Sequence, residues 1–168
     1  YAHTHVAATI LKSGSPELRE LAVNHNGVMS VLLDHFKKPM PLDPLITEKV
    51  CVLISSFSRD FPFDLLERIE GKGFIRLAAM HISNPSVAEM ICQLFVGSGG
   101  VEQTSLPVNS FMQFFFEQKV YDVLVDRFLG ACECEGLLDR DKRLDGLCVQ
   151  EQENSLSTMR SIINRVAP

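Results

Sequence analysis

The chain has 168 residues with 16 Lys+Arg against 21 Asp+Glu, a formal net charge of -5, and 46% apolar to 22% charged residues, the size and balance of one globular domain with a real core. An acidic balance lacks the cationic footprint that phosphate-backbone binding requires, so nucleic acid is disfavoured and a protein partner is expected. No stretch approaches the roughly 18 uninterrupted apolar residues of a membrane span and no charged-then-apolar leader opens the chain, which points to the cytoplasm or the nucleus.

The sequence starts at Tyr1 rather than Met and stops at Ala167-Pro168 just after a helical pattern, as expected of an excerpt from a longer protein. From there helical spacing recurs almost throughout and strand alternation almost nowhere. A first helix is expected over residues 3 to 12, before the break Ser13-Gly14-Ser15-Pro16. A short helix from Glu17 to Val23 ends at Asn24-His25-Asn26-Gly27, and the stripe Val28, Val31, Leu32, Phe36 marks the next. The corner from Pro39 to Pro44 holds three prolines. Pro44 suits a first helical turn, where a missing N–H costs little, and Asp43 is placed to cap it. Beyond it Ile46, Val50, Leu53, Ile54 and Phe57 form one continuous helix face.

Phe63 to Glu70 forms another short helix, and Gly71-Lys72-Gly73 reads as a C-cap and turn, because glycine takes the left-handed conformation readily. The stripe Phe74, Leu77, Ala78, Ile82 follows, then the break Asn84-Pro85-Ser86 and the stripe Val87, Ile91, Leu94, Phe95. After Gly97 to Gly100, residues 110 to 117 hold four phenylalanines. Phe111, Phe114 and Phe115 make an inward stripe and Phe116 lies off it. Tyr121, Leu124, Val125 and Leu129 mark a further helix, residues 130 to 150 read as a charged loop insertion, and Leu156, Met159, Ile163 and Val166 mark a final helix from about Glu151. The fold class is all-α.

Laid over one another, these helices repeat. The Val28 stripe recurs at Phe74, 46 residues on, and again at Tyr121, 47 residues further. Each stripe follows a short helix and a tight link and precedes a third, longer helix. Three helices at a period near the roughly 40 to 47 residues of armadillo and HEAT repeats predict an α-solenoid, with residues 3 to 12 as the last helix of a preceding repeat.

Candidate chemistry is sparse. Cys51, Cys92, Cys132, Cys134 and Cys148 are odd in number and irregularly spaced, which argues for reduced thiols. Cys132-Glu133-Cys134 lacks the spacing and the fourth ligand of a zinc site, so surface cysteines are expected. His3 and His5 stand two apart on a helix and cannot share one ion. His35 and His81 occupy matching late positions on second helices. They could be a ligand pair, but histidines bonded to a turn are the better expectation. No nucleophile elbow, phosphate loop, dinucleotide fingerprint or zinc-protease helix occurs. No enzyme activity, cofactor or metal is expected.

The segment Pro39-Met40-Pro41-Leu42-Asp43-Pro44-Leu45-Ile46 resembles the Pro-Pro-Leu-Asn-Pro-Leu-Leu segment of the SAPS family, the Sit-four-associated regulatory subunits of protein phosphatase 6-type catalytic subunits. Four further segments agree in order. The opening Tyr1 to Leu11 is similar to that family's Tyr-Pro-Tyr…Cys-Glu-Leu-Leu, and Leu32 to Leu42 to its Leu-Tyr-Ser-Phe-Leu…Pro-Pro-Leu. Gly73 to Phe95 resembles its Phe-Val…His-Ile-Gly-Thr-Ser-Ala…Leu-rich stretch, with His81-Ile82 in the His-Ile place and Glu89 at an acidic place. Asn154, Leu156, Ile162, Ile163 and Arg165 match its Asn-Ala…Leu-Cys-Asp-Ile-Ile-Arg. The departures are the lost Pro and second Tyr of the opening, Met90 and Cys92 in the Leu-rich helix, and the insertion at residues 133 to 150, as in a divergent member.

The resemblance implies a helical-repeat scaffold that binds a type 2A-like serine/threonine protein phosphatase catalytic subunit and steers it to substrates without hydrolysing phosphate itself. The partner surface is expected on the second helices and exposed loops, with His35, Lys37, Arg76 and Arg127 as the polar positions to test first. The alternative is an armadillo-like adaptor for extended peptides in transport or trafficking. Such grooves use repeated Asn and Trp on the third helices, and this chain has no Trp.

Overall fold

A computed structural model describes residues 2–96, 115, 117–135, 149–150 and 152–161. All regular elements among them are helical, with no strand. In chain order they are α1 (Ala2–Ser13), α2 (Pro16–Asn24), α3 (Asn26–Asp34), a 3-10 turn (His35–Lys37), α4 (Pro44–Asp60), α5 (Pro62–Ile69), α6 (Phe74–Ala79), α7 (Pro85–Val96) and α8 (Val120–Glu135). Residues 152–161 are also helical.

Helix starts are set by one recurring local device. Asp43 accepts from the Ile46 N–H at 3.0 Å, with Pro44 at the first helical position of α4. Asn84 accepts from the Ser86 N–H at 3.0 Å ahead of α7, which opens on Pro85. Ser15 accepts from the Leu18 N–H ahead of α2, which opens on Pro16. In each case a short polar side chain satisfies an orphan amide and the proline fixes φ without sacrificing a useful donor.

Packing joins helices of like position. α1 packs on α4 and α4 on α7, α2 packs on α5, and α6 lies between the 3-10 turn and α8. Residues 152–161 meet the α6–α7 turn and α7: Asn154 Nδ2 donates to the Ile82 and Ser83 carbonyls at 2.8 and 3.3 Å, and Cys92 Sγ lies 3.7 Å from Thr158 Oγ1. The α4 face of Val50, Leu53, Ile54 and Phe57 is buried as the periodicity predicts, with Ile46 packed against it. Each such fully buried large side chain contributes about 1.5–3 kcal/mol, so this face anchors the core on which α1 and α7 rest.

Polar ties bridge the same layers over long sequence separations. Arg19 pairs with Asp60, which also accepts from Ser56 and Arg59. Arg68 donates to Asn26 at 2.6 Å and to Asn24 at 3.4 Å, linking α5 to residues 42 and 44 positions earlier. Gln118 accepts from the Ile75 and Arg76 N–H groups at 3.1 and 3.3 Å. It caps a helix whose own N-cap residue, Gly73, offers no side chain.

Four expectations shift, one of them in the last described helix, where Leu156 is exposed and Ser155, Thr158 and Met159 are buried. Val31 is 73% exposed, and Met29, Leu32, Leu33 and Phe36 form the buried stripe instead. Spacing favoured either register, and the bulkier Met29 and Leu33 win the core. In α8 the buried face is Val120, Val123 and Leu124 with Phe128 packed against it, whereas Tyr121 and Leu129 are exposed. That face matches Phe74, Leu77, Ala78, Ile82 one residue earlier than the spacing suggested, so this step is 46 residues, and the step from the buried Met29, Leu32 and Leu33 to Phe74, Leu77 and Ala78 is 45. Finally, α8 runs to Glu135, six residues into the expected loop of 130–150, and residues 136–148 lie outside the described ones. Phe115 is buried as expected, while Phe111, Phe114 and Phe116 lie outside the described residues, as do Phe95's side chain, Ile163 and Val166.

The links before α6 and α8 use left-handed backbone. Gly71 and Gly73 have φ of 68° and 60°, and Lys119, just before α8, has φ of 51°. A side chain in that region costs about 1–2 kcal/mol. Lys119→Gly is therefore expected to raise stability by about 1 kcal/mol, and Gly73→Ala to lower it by a similar amount, in urea unfolding followed by circular dichroism. Asp43→Ala is expected to lower stability by about 1 kcal/mol or more through loss of the cap on α4, read by the same titration.

Candidate functional site

The four residues expected to meet a partner lie on the 3-10 turn, α6 and α8, which are consecutive packed elements. Their surroundings separate them. Lys37 is exposed and pairs with Asp34 at 2.7 Å. That ammonium, with the Ser30 hydroxyl behind it, holds the Asp34 carboxyl below its ordinary range. Arg76 is exposed, its N–H engaged by Gln118. Arg127 is half-buried on α8, close enough for its charge to bear on His81.

His35 is different. It is 4% exposed, which removes its side chain from any partner surface. It had been grouped with the surface positions because it follows an apolar stripe, where periodicity alone cannot tell a flank from an interior. The structure turns it inward because Thr47, itself fully buried, supplies a hydroxyl at 2.9 Å. The Thr47 hydroxyl donates to the Asp43 carbonyl at 2.6 Å, so it accepts from His35, whose Nε2 therefore carries hydrogen.

His81 takes the matching position on the turn after α6 and is 5% exposed. Its Nε2 lies 2.9 Å from the Phe36 carbonyl oxygen, which can only accept, so here too Nε2 donates. This bond spans 45 residues and ties the turn after α6 to the turn after α3. Phe36 fills the space between: its ring meets His35 edge-on at 5.6 Å and Phe74 edge-on at 5.4 Å, and lies tilted to His81 at 6.4 Å. His81 is bonded to a turn, as expected, whereas His35 is bonded to a side chain of α4, and among the described residues no group of three or more His, Cys, Asp or Glu could hold a metal ion.

Burial holds both imidazoles below their ordinary pKa. For His35 the Lys38 charge and then His81 add to it, against a smaller opposing pull from Asp43. For His81 the bond to Phe36 opposes the shift in part and Arg127 adds to it. Cys51, buried beside Glu89, has its thiol pushed up to about 12 by desolvation, so it is no nucleophile at neutral pH. Cys132 and Cys134 lie within α8 and Cys148 lies outside the described residues. No described helix is long and apolar enough to cross a membrane.

Sequence reasoning missed Thr47, Gln118 and Arg68. Thr47 carried a faint signal, a hydroxyl four residues after a capping Asp within an apolar face. Gln118 and Arg68 carried none, because their partners lie more than forty residues away. Comparison with protein-family models, with curated proteins and with solved structures found no match.

Gln118→Ala is expected to destabilise the chain by about 1 kcal/mol. The amides of Ile75 and Arg76 should then exchange hydrogen markedly faster than those of α4, as read by amide exchange and NMR.

Proposed function

We propose that the chain is an α-solenoid of armadillo/HEAT-like repeats that acts as a non-catalytic scaffold, binding a type 2A-like serine/threonine phosphatase catalytic subunit and directing it to substrates. The observation that carries the scaffold reading is the stacking of like on like: α2 with α5, the 3-10 turn with α6 and α6 with α8, α1 with α4 and α4 with α7. Layers that advance in this way build an extended surface rather than a closed pocket, and such surfaces grip globular partners. The phosphatase reading rests on the resemblance of five ordered segments, above all the proline corner, to the SAPS family. An acidic chain suits basic patches on such a partner.

Lys37 and Arg76, exposed on adjacent second elements, are the partner-facing positions in this reading, with Arg127 at their edge. Immobilised full-length protein is expected to retain a purified protein phosphatase 6-type catalytic subunit. The double charge reversal Lys37→Glu/Arg76→Glu should weaken retention at least tenfold while leaving the circular dichroism spectrum unchanged. No retention at micromolar concentration would overturn the phosphatase assignment. Unaltered retention by the double variant would move the binding surface elsewhere.

A further inference from the structure

We propose that the contact between the 3-10 turn and α6 is an acid-sensitive joint, in which protonation of His81 and His35 parts the two second elements while the first-helix layer holds. The geometry gives a second ring proton little support, the Phe36 carbonyl at His81 and Asp43 near His35 being the groups that favour it. Each spends Nε2–H on a neutral acceptor, His81 on the Phe36 carbonyl and His35 on the Thr47 hydroxyl. The other ring nitrogen of His81, Nδ1, is buried and has no hydrogen-bond partner among the described residues. A proton added there would be an N–H donor with nothing to accept it, inside the core, which is among the costliest arrangements a folded chain can hold.

The charges around the pair point the same way. Facing His81 are Arg127 from α8 and, from the 3-10 turn, His35; facing His35 are Lys38 just beyond the turn, His81, and Asp43 at the start of α4. Of these only Asp43 favours a cation, and its effect on His35 is the smallest. Two protonated imidazoles would stand on either side of the Phe36 ring and repel each other. The joint is also where α6 is most dependent on help: it has six residues, too few to persist unaided.

The sign follows from linkage. Above the ordinary histidine pKa of about 6.5 both rings are neutral whether the joint is closed or open, and the closed state keeps its full stability. As pH falls below that value the open state binds protons that the closed state refuses. The closed-to-open ratio then drops by at most about tenfold per imidazole between pH 7.5 and 5.5, and by at most about a hundredfold if one opening frees both. By contrast, Arg68 of α5 donates to Asn24 at the end of α2 and Asn26 at the start of α3, three groups that do not titrate in this range; His25 between them caps α3 through Nδ1, so the reference for the test is taken within α5.

The test is amide exchange of the full chain across pH 7.5 to 5.5, corrected for intrinsic rates. Protection at residues 78–82 should fall more than threefold and by up to a hundredfold, while that at Leu65 and Ile69 in α5 changes less than threefold. In His81→Gln, which keeps an N–H for the Phe36 carbonyl but cannot titrate, the acid-induced loss should shrink about tenfold. Protection that is flat with pH in the natural chain, or an equal loss in His81→Gln, would overturn the joint. Direct NMR titration of the His81 ring in the natural chain decides the matter even if the variant does not fold: a midpoint at or above 6.5 would also overturn it.

Discussion

Helices as short as α6 and α5, at six and eight residues, cannot hold themselves, because nucleating a helical turn costs more than so few hydrogen bonds return. Everything else in the molecule answers that constraint. The N-terminal amides of α6 are taken up by Gln118, some forty residues on, and the turn that ends it is tied to Phe36, 45 residues back. A helix supported from both sides by chain distant in sequence exists only within the stack. Neighbouring layers are then bound to rise and fall together at that point.

The longer helices play the opposite part. α4, with seventeen residues, a capped start and an unbroken buried face, meets α1 on one flank and α7 on the other. It is the element best able to keep its form while shorter ones exchange partners. Long and short helices therefore differ in how far they depend on their neighbours.

How much of this could be read beforehand depends on the range of the interaction. The α4 face, the Asp43 cap, Pro44 at the first turn, the glycine link at residues 71–73 and the inward Phe115 are consequences of neighbours within a few residues, and spacing alone exposes them. The register of α8 was off by one because Tyr121 and Val120 are both adjacent to good helical spacing, and only packing against α6 chooses between them. Inward-facing His35 was illegible for a related reason. Its burial depends on a hydroxyl twelve residues on, presented by the first turn of another helix. The positions proposed to face a partner are less legible still, since Lys37 and Arg76 differ from other exposed cations only in the elements that carry them.

Cys51 gives the stack a built-in reporter. With burial pushing its thiol up to about 12, the reactive thiolate is scarce at neutral pH while α4 and α7 stay together. Solvent entry would return it to an ordinary cysteine, and its reactivity would rise steeply. The rate at which this one sulfur is alkylated therefore reports how often α4 and α7 part, without any substitution in the chain.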